Sequence, residues 1–197
     1  MVKMPTLETP RLRIRPFAME DLPDVHQLLD VDLGEAQLGT ERLDSLGDRA
    51  QWLHWSILNY EQLAKLRQPP YGDRAIVLRS TGQLIGACGY VPCLNAFEQL
   101  PGFLSHGGSP GRNLYSTEFG LFYAITSAHQ RQGFATEAGQ ALIDYAFREL
   151  SLNRIVATTD YGNDASIGVM RKLGMRIERN PLPGPPWLQA VGILERA

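Results

Sequence analysis

The residues best placed to do chemistry lie between Ile125 and Ala138. The run up to Ile125 is strand-like, with Phe119, Leu121, Tyr123 and Ile125 on one face, and an apolar-periodic helix follows from Phe134. Between them sits a short, donor-rich turn holding Gln130, Arg131, Gln132 and Gly133. A helix that opens straight from such a turn leaves its first N–H groups without internal partners, at the positive end of its dipole. That is an anion site, and phosphate is the anion it suits. Gly133 permits close backbone approach and Ala135 keeps the next position small. Gln130 and Arg131 are expected to add side-chain donors. Neither the Gly-x-x-x-x-Gly-Lys-[Ser/Thr] loop of nucleoside triphosphatases nor the Gly-x-Gly-x-x-Gly dinucleotide fingerprint is present. The pattern is Gln130-x-x-Gly133-x-Ala135.

The surrounding elements must hold that turn. Pro10–Phe17 alternates Leu12 and Ile14 with arginines and predicts a half-buried strand. Leu22, Val25, Leu28 and Leu29 share one face of a helix from Met19 to Leu29, with Pro23 near its start. Gly34–Gly47 reads as a loop or a broken helix. Arg49–Arg67 reads as a helix stopped by Pro69 and Pro70. Arg74–Arg79 and Leu84–Val91 predict a hairpin across Ser80–Gln83. Pro92–Asn113, rich in Gly and Pro, predicts a long loop of the functional kind. Leu114–Ser127 predicts a strand, Phe134–Leu150 a helix and Arg154–Thr159 a short strand. Asn163–Leu173 predicts a helix ended by Gly174. Met175–Glu178 and Trp187–Leu194 predict the last strands. The fold class expected is mixed α/β (α+β), as one domain over residues 1–197.

Four segments together resemble the GNAT superfamily of acyl-CoA-dependent N-acyltransferases, in its RimJ/RimL-like branch. The turn matches the superfamily signature Gln/Arg-x-x-Gly-x-Gly/Ala. Thr9-Pro10-Arg11-Leu12-Arg13-Ile14-Arg15 resembles the branch's opening strand. Glu118-Phe119-Gly120-Leu121-Phe122 resembles its fourth strand. Asn163 to Met175, with Ser166, Lys172, Leu173 and Gly174, resembles its Asn-x-x-Ser…Lys-Leu-Gly helix. The resemblance spans about Leu7 to Leu194. It implies a mixed, splayed central sheet flanked by helices.

It also implies acetyl-CoA as co-substrate and direct transfer of its acetyl group to an amine acceptor, either a protein N-terminal α-amine or a small molecule. The pantetheine arm would lie along the strand backbone at Tyr123, Ala124 and Ile125. Gln130, Arg131, Gln132, Gly133, Phe134, Ala135 and Thr136 would hold the pyrophosphate, with Asn163 and Ser166 also on the CoA side. Glu118 matches the family's strand carboxylate and is the candidate base; a solvated strand-edge carboxylate is the plain alternative. An α-amine of pKa roughly 8 is about 10% neutral at pH 7, and a lysine of pKa roughly 10.4 only ~0.04%. The family's frequent Tyr acid falls on Met170, which has no proton to give. Ser166 is the candidate in its place, with Tyr123 and Tyr161 as further donors. Asn163 also reads as a plain N-cap and Ser166 as a hydroxyl bonding its own backbone. By the resemblance, the acceptor wall would come from Gly34–Trp55 and Pro92–Asn113, with Trp52, Trp55 and Tyr60 near it. Phe97, Phe103 and Leu104 read as a lid, a homodimer contact or ordinary loop packing. A second reading is a CoA-binding sensor or interaction module with a degenerate acceptor site.

Composition narrows the rest. Nineteen basic and 21 acidic residues give a formal charge of -2 in a chain of 197. Bulk positive charge for nucleic acid or an anionic membrane is absent. No apolar run approaches the ~20 residues that span a bilayer, and Met1–Arg15 has no apolar leader core. His26, His54, His106 and His129 lack metal-site spacing, and Cys88 and Cys93 fit small buried residues better than a metal pair. No metal, nucleic-acid or membrane partner is expected, and the compartment expected is the cytoplasm.

Overall fold

The computed structural model describes residues 4–34, 42–103 and 115–196. The helices are α1 (Leu22–His26), α2 (Leu46–Lys65), α3 (Phe134–Arg148) and α4 (Asp164–Lys172). The strands are β1 (Leu7–Glu8), β2 (Leu12–Arg15), β3 (Gly72–Leu78), β4 (Leu84–Asn95), β5 (Ser116–Ile125), β6 (Arg154–Thr159), β7 (Arg176–Arg179) and β8 (Ala190–Glu195). They form one mixed sheet in the order β1-β2-β3-β4-β5-β6-β8-β7. The pairs β2–β3, β3–β4, β6–β8 and β7–β8 are antiparallel, while β5 and β6 are parallel and register at Gly120↔Val156. The mixed sheet with flanking helices is the class the sequence predicted.

By its contacts the chain divides into two compact units, Met1–Tyr90 with Phe122–Leu142, and Val91–Leu121 with Ile143–Ala197. In the first, Val25, Leu28 and Leu29 pack with Leu53 of α2 against Ala75, Val77, Leu84, Ala87 and Ala124. Leu28 and Leu29 lie in a π turn over Gln27–Asp32 that prolongs α1. Phe17 meets Trp52 edge to face at 5.9 Å. Helix α2 starts three residues before the predicted Arg49, because Ser45 caps it: its Oγ accepts from the Asp48 N–H at 3.0 Å. Arg49 is therefore inside the helix and wholly buried, paired through Nε with Asp30 Oδ2 at 2.8 Å. Burial alone would raise the Asp30 carboxyl. Hydrogen bonds from Arg49, the Leu43 N–H and His26 outweigh it and hold the group below its ordinary range.

In the second unit, Phe97, Leu100 and Phe103 pack with Val156, Leu188, Val191 and Ile193. The predicted loop Pro92–Asn113 is thus corrected over its first half. Strand β4 runs on to Asn95, and two 3-10 turns follow, over Phe97–Gln99 and Pro101–Phe103. The apolar side chains that suggested a lid are core: Phe97 and Phe103 stack with ring centres 4.9 Å apart. Leu104, His106 and the rest of that segment to Asn113 lie outside the described residues. The extension of β4 depends on Gly120, where a Cβ would stand 2.6 Å from Cys93 Sγ and 2.7 Å from the Val91 carbonyl oxygen.

Candidate active site

In the first unit, β5 ends at Ile125, a 3-10 turn covers Ser127–His129, and α3 begins at Phe134. The first helical bond runs from the Glu137 N–H to the Gly133 carbonyl at 3.0 Å. The N–H groups of Phe134, Ala135 and Thr136 stand ahead of it, at the N-terminal end of a helix of 15 residues. Two residues bend the approach into the left-handed region, Arg131 at φ 59° and Gly133 at φ 83°. Side-chain amides tie the turn down. Gln130 Nε2 donates to the Ile125 carbonyl at 3.1 Å, and Gln132 Nε2 to the Ala128 carbonyl at 3.1 Å. The Gln130 amide therefore shapes the turn, whereas the exposed Arg131 extends from it.

The connection from β1 to β2 braces this turn through Thr9 and Arg11. Arg11 Nη1 donates to the Gln132 carbonyl at 2.9 Å and its Nε to Glu137 Oε2 at 2.6 Å. Its guanidinium carbon lies 4.3 Å from the centre of the Phe134 ring. Thr9 Oγ1 and the Arg11 N–H both donate to Glu137 Oε1, at 2.6 and 2.9 Å. Burial opposes ionisation of Glu137, but these bonds prevail and hold its carboxyl below the ordinary range. Upstream, Ala124 is buried and Tyr123 half-buried on β5. A Cβ at Gly86 of β4 would stand 2.3 Å from the Ala124 carbonyl oxygen, so the bare glycine sets how closely β4 lies against β5 there.

In the second unit, the parallel register at Gly120↔Val156 puts Glu118 opposite Arg154. Glu118 is buried, and its carboxylate takes both arms of the guanidinium: Arg154 Nε donates to Oε2 at 2.9 Å, and Nη2 donates to Oε1. Arg154 also stacks over the Phe103 ring at 4.6 Å. An open cleft of about 590 Å³ borders the pair, lined by Thr117, Glu118, Phe119, Asn153, Arg154, Glu195 and Arg196. Asn163 caps α4, its Oδ1 accepting from the Ser166 N–H at 3.0 Å. Met170 is 1% exposed, and Gly192 leaves room for it: a Cβ there would stand 3.0 Å from Met170 Sδ. The Tyr161 hydroxyl donates to the Asn180 carbonyl.

So the structure brings Tyr123, Ala124, Ile125 and the Gln130–Thr136 turn into the first unit. It places Glu118, Asn163 and Ser166 in the second. Arg154, Arg11 and Glu137 were not singled out by the sequence. Arg154 needed the strand register. The bonds of Arg11 and Glu137 join residues 126 apart.

Residues 11–176 match the family model described as "Acetyltransferase (GNAT) domain". The chain belongs to the GNAT acetyltransferases. That supports acetyl transfer as the class of reaction. A Bacillus licheniformis relative named "Uncharacterized N-acetyltransferase p20" is 28% identical over 188 residues, covering 89% of this chain and 84% of that one. Among solved GNAT-like folds is a ribosomal-protein-S5-alanine acetyltransferase from Vibrio fischeri, with TM-score 0.67, 16% identity and coverage of 97% and 96%. Another is AAC(6')-Ib in complex with ribostamycin and coenzyme A, with TM-score 0.64, 18% identity and coverage of 94% and 93%. Both likenesses concern the fold. Among the described residues no group of three or more His, Cys, Asp or Glu is placed to hold a metal, and no helix is long and apolar enough to cross a membrane.

Proposed function

We propose that this GNAT chain is an acetyl-CoA-dependent N-acetyltransferase of the RimJ/RimL-like kind, working in the cytoplasm as one domain over residues 1–197. The observation that carries the reading is the turn between β5 and α3. It has Gly133 at φ 83°, and three N–H groups stand ahead of the first helical bond. A pyrophosphate accepts from such a set without any excess of basic residues. In this reading the backbone at Tyr123, Ala124 and Ile125 aligns the pantetheine arm, and Gln130 to Thr136 hold the pyrophosphate. Asn163 and Ser166 contact CoA from the start of α4.

The acceptor is a neutral amine, either a protein N-terminal α-amine or a small-molecule amine. Its nitrogen attacks the thioester carbonyl carbon, the C–S bond breaks, and CoA leaves as thiolate. Glu118 takes the proton the amine gives up, directly or through water. Arg154 occupies one lone pair on each carboxylate oxygen and leaves one on each. Ser166 is the donor nearest in type to a thiolate acid.

Thermal unfolding with acetyl-CoA tests the reading. Ligand at 100 times its Kd adds about 2.7 kcal/mol to the folded state. Gly133→Glu fills and repels the phosphate position and abolishes the shift. No shift of the parent protein at millimolar ligand overturns the proposal.

A further inference from the structure

The turn is held by a side chain far off in sequence, Arg11, which immediately precedes β2. Three Arg11 groups bind three parts of the turn and of α3. Nη1 takes the Gln132 carbonyl at 2.9 Å, Nε takes Glu137 Oε2 at 2.6 Å, and the guanidinium plane covers Phe134 at 4.3 Å. Its backbone N–H adds a fourth tie, to Glu137 Oε1 at 2.9 Å. The remaining nitrogen, Nη2, makes no hydrogen bond among the described residues. It stands 3.4 Å from where a Cβ of Gly133 would be. The free donors of a guanidinium therefore lie against the glycine whose bare backbone admits the phosphate.

We infer that Arg11 determines affinity for the phosphate half of the acyl donor. It fixes the carbonyl of Gln132 away from the ligand and presents Nη2 to a phosphate oxygen beside Gly133. This rests on the acetyl-CoA reading above and adds a residue outside the turn motif. A guanidinium does both jobs because its donors form a rigid planar fork. A lysine in its place carries one point charge and serves one partner at a time. Glu137 completes the device. By taking Nε and the backbone N–H, it aims the fork, and its own charge is matched by the arginine rather than left facing the ligand.

The test is calorimetric binding of CoA and of pantetheine, which lacks every phosphate, to the parent protein, Arg11→Ala and Arg11→Lys. Arg11→Ala is expected to weaken CoA binding at least tenfold and leave the pantetheine affinity within twofold. Arg11→Lys keeps the charge and the stem over Phe134, so it folds where the alanine variant fails to. It is expected to weaken CoA at least fivefold. Equal losses on CoA and pantetheine overturn the inference, because a merely structural role harms both. Full CoA affinity in either variant overturns it as well. A parent protein that ignores millimolar CoA overturns the acetyl-CoA reading and this one together, so the two failures are distinguishable.

Discussion

Asp73 gives a stability prediction whose sign and size follow from the structure. It is half-buried on β3, where burial pushes its carboxyl up from 3.8 to about 6, while the positive charge of Arg49 on α2 pulls the other way. Tyr60 of α2 and Cys88 of β4 share this field: both feel the Asp73 charge, and burial raises both. A carboxyl with a raised folded value costs stability wherever it is ionised in both states. The cost is complete above about 6, shrinks as pH falls through that value, and is gone below 3.8. From 3.8 to about 6 the difference corresponds to roughly 3 kcal/mol. Asp73→Asn removes the charge and nearly keeps the shape. The variant should exceed the parent by up to about 3 kcal/mol at pH 8, or roughly 6–12 °C in Tm for a chain of this size. The gap should close by about pH 4. Urea unfolding of both proteins at pH 4, 6 and 8 measures it. Taking the difference cancels Asp21, Asp30 and Glu137, whose depressed carboxyls withdraw stability from both proteins as pH falls through their folded values. A gap that does not change with pH, or a less stable variant at pH 8, refutes the reasoning.

Other outcomes follow from single contacts. Gly120→Ala places a Cβ 2.6 Å from Cys93 Sγ and should cost about 1–3 kcal/mol by overpacking, read as a lower denaturation midpoint. Arg49→Ala leaves the buried Asp30 carboxylate without its main partner and should cost about 3–5 kcal/mol, partly recovered when Asp30→Asn is added. Asn163→Ala removes the α4 cap and should cost about 1 kcal/mol, whereas Asn163→Asp keeps the cap; a loss of CoA affinity in both marks a ligand role beyond capping. Glu118→Gln should lower turnover more than CoA affinity and flatten the acid limb of the pH–rate profile; an unchanged profile assigns proton acceptance elsewhere.

Local signals made much of this legible. The sequence placed β6 at Arg154–Thr159, where it is found, and the Asn163 cap and Gly174, at φ 79°, bracketed α4 within a residue at either end. These features are short-range: a cap or a left-handed glycine acts within one turn. The start of α2 was missed because Ser45 lies in a polar run that looks like loop. The first half of Pro92–Asn113, to Phe103, was misread for a different reason. Pro and Gly punctuate it as a loop, yet Phe97, Leu100 and Phe103 find partners in β6, β8 and the Leu188 turn, far along the chain. Periodicity cannot reveal apolar side chains buried from irregular backbone.

The charge balance shows the same division between what is local and what is long-range. With 19 basic against 21 acidic residues, anion capture has to be built at one place. The turn supplies backbone donors and the helix dipole, and both were readable from Gln130 to Ala135. An acid in the first turn of α3, Glu137, suits that dipole but sets a negative charge beside the intended phosphate. Arg11 resolves the conflict by covering that carboxylate through Nε and its N–H while Nη2 remains available at Gly133. In the proposed reading the motif names where phosphate would bind, and the ties from Thr9 and Arg11 to Glu137 would set how much positive potential remains there.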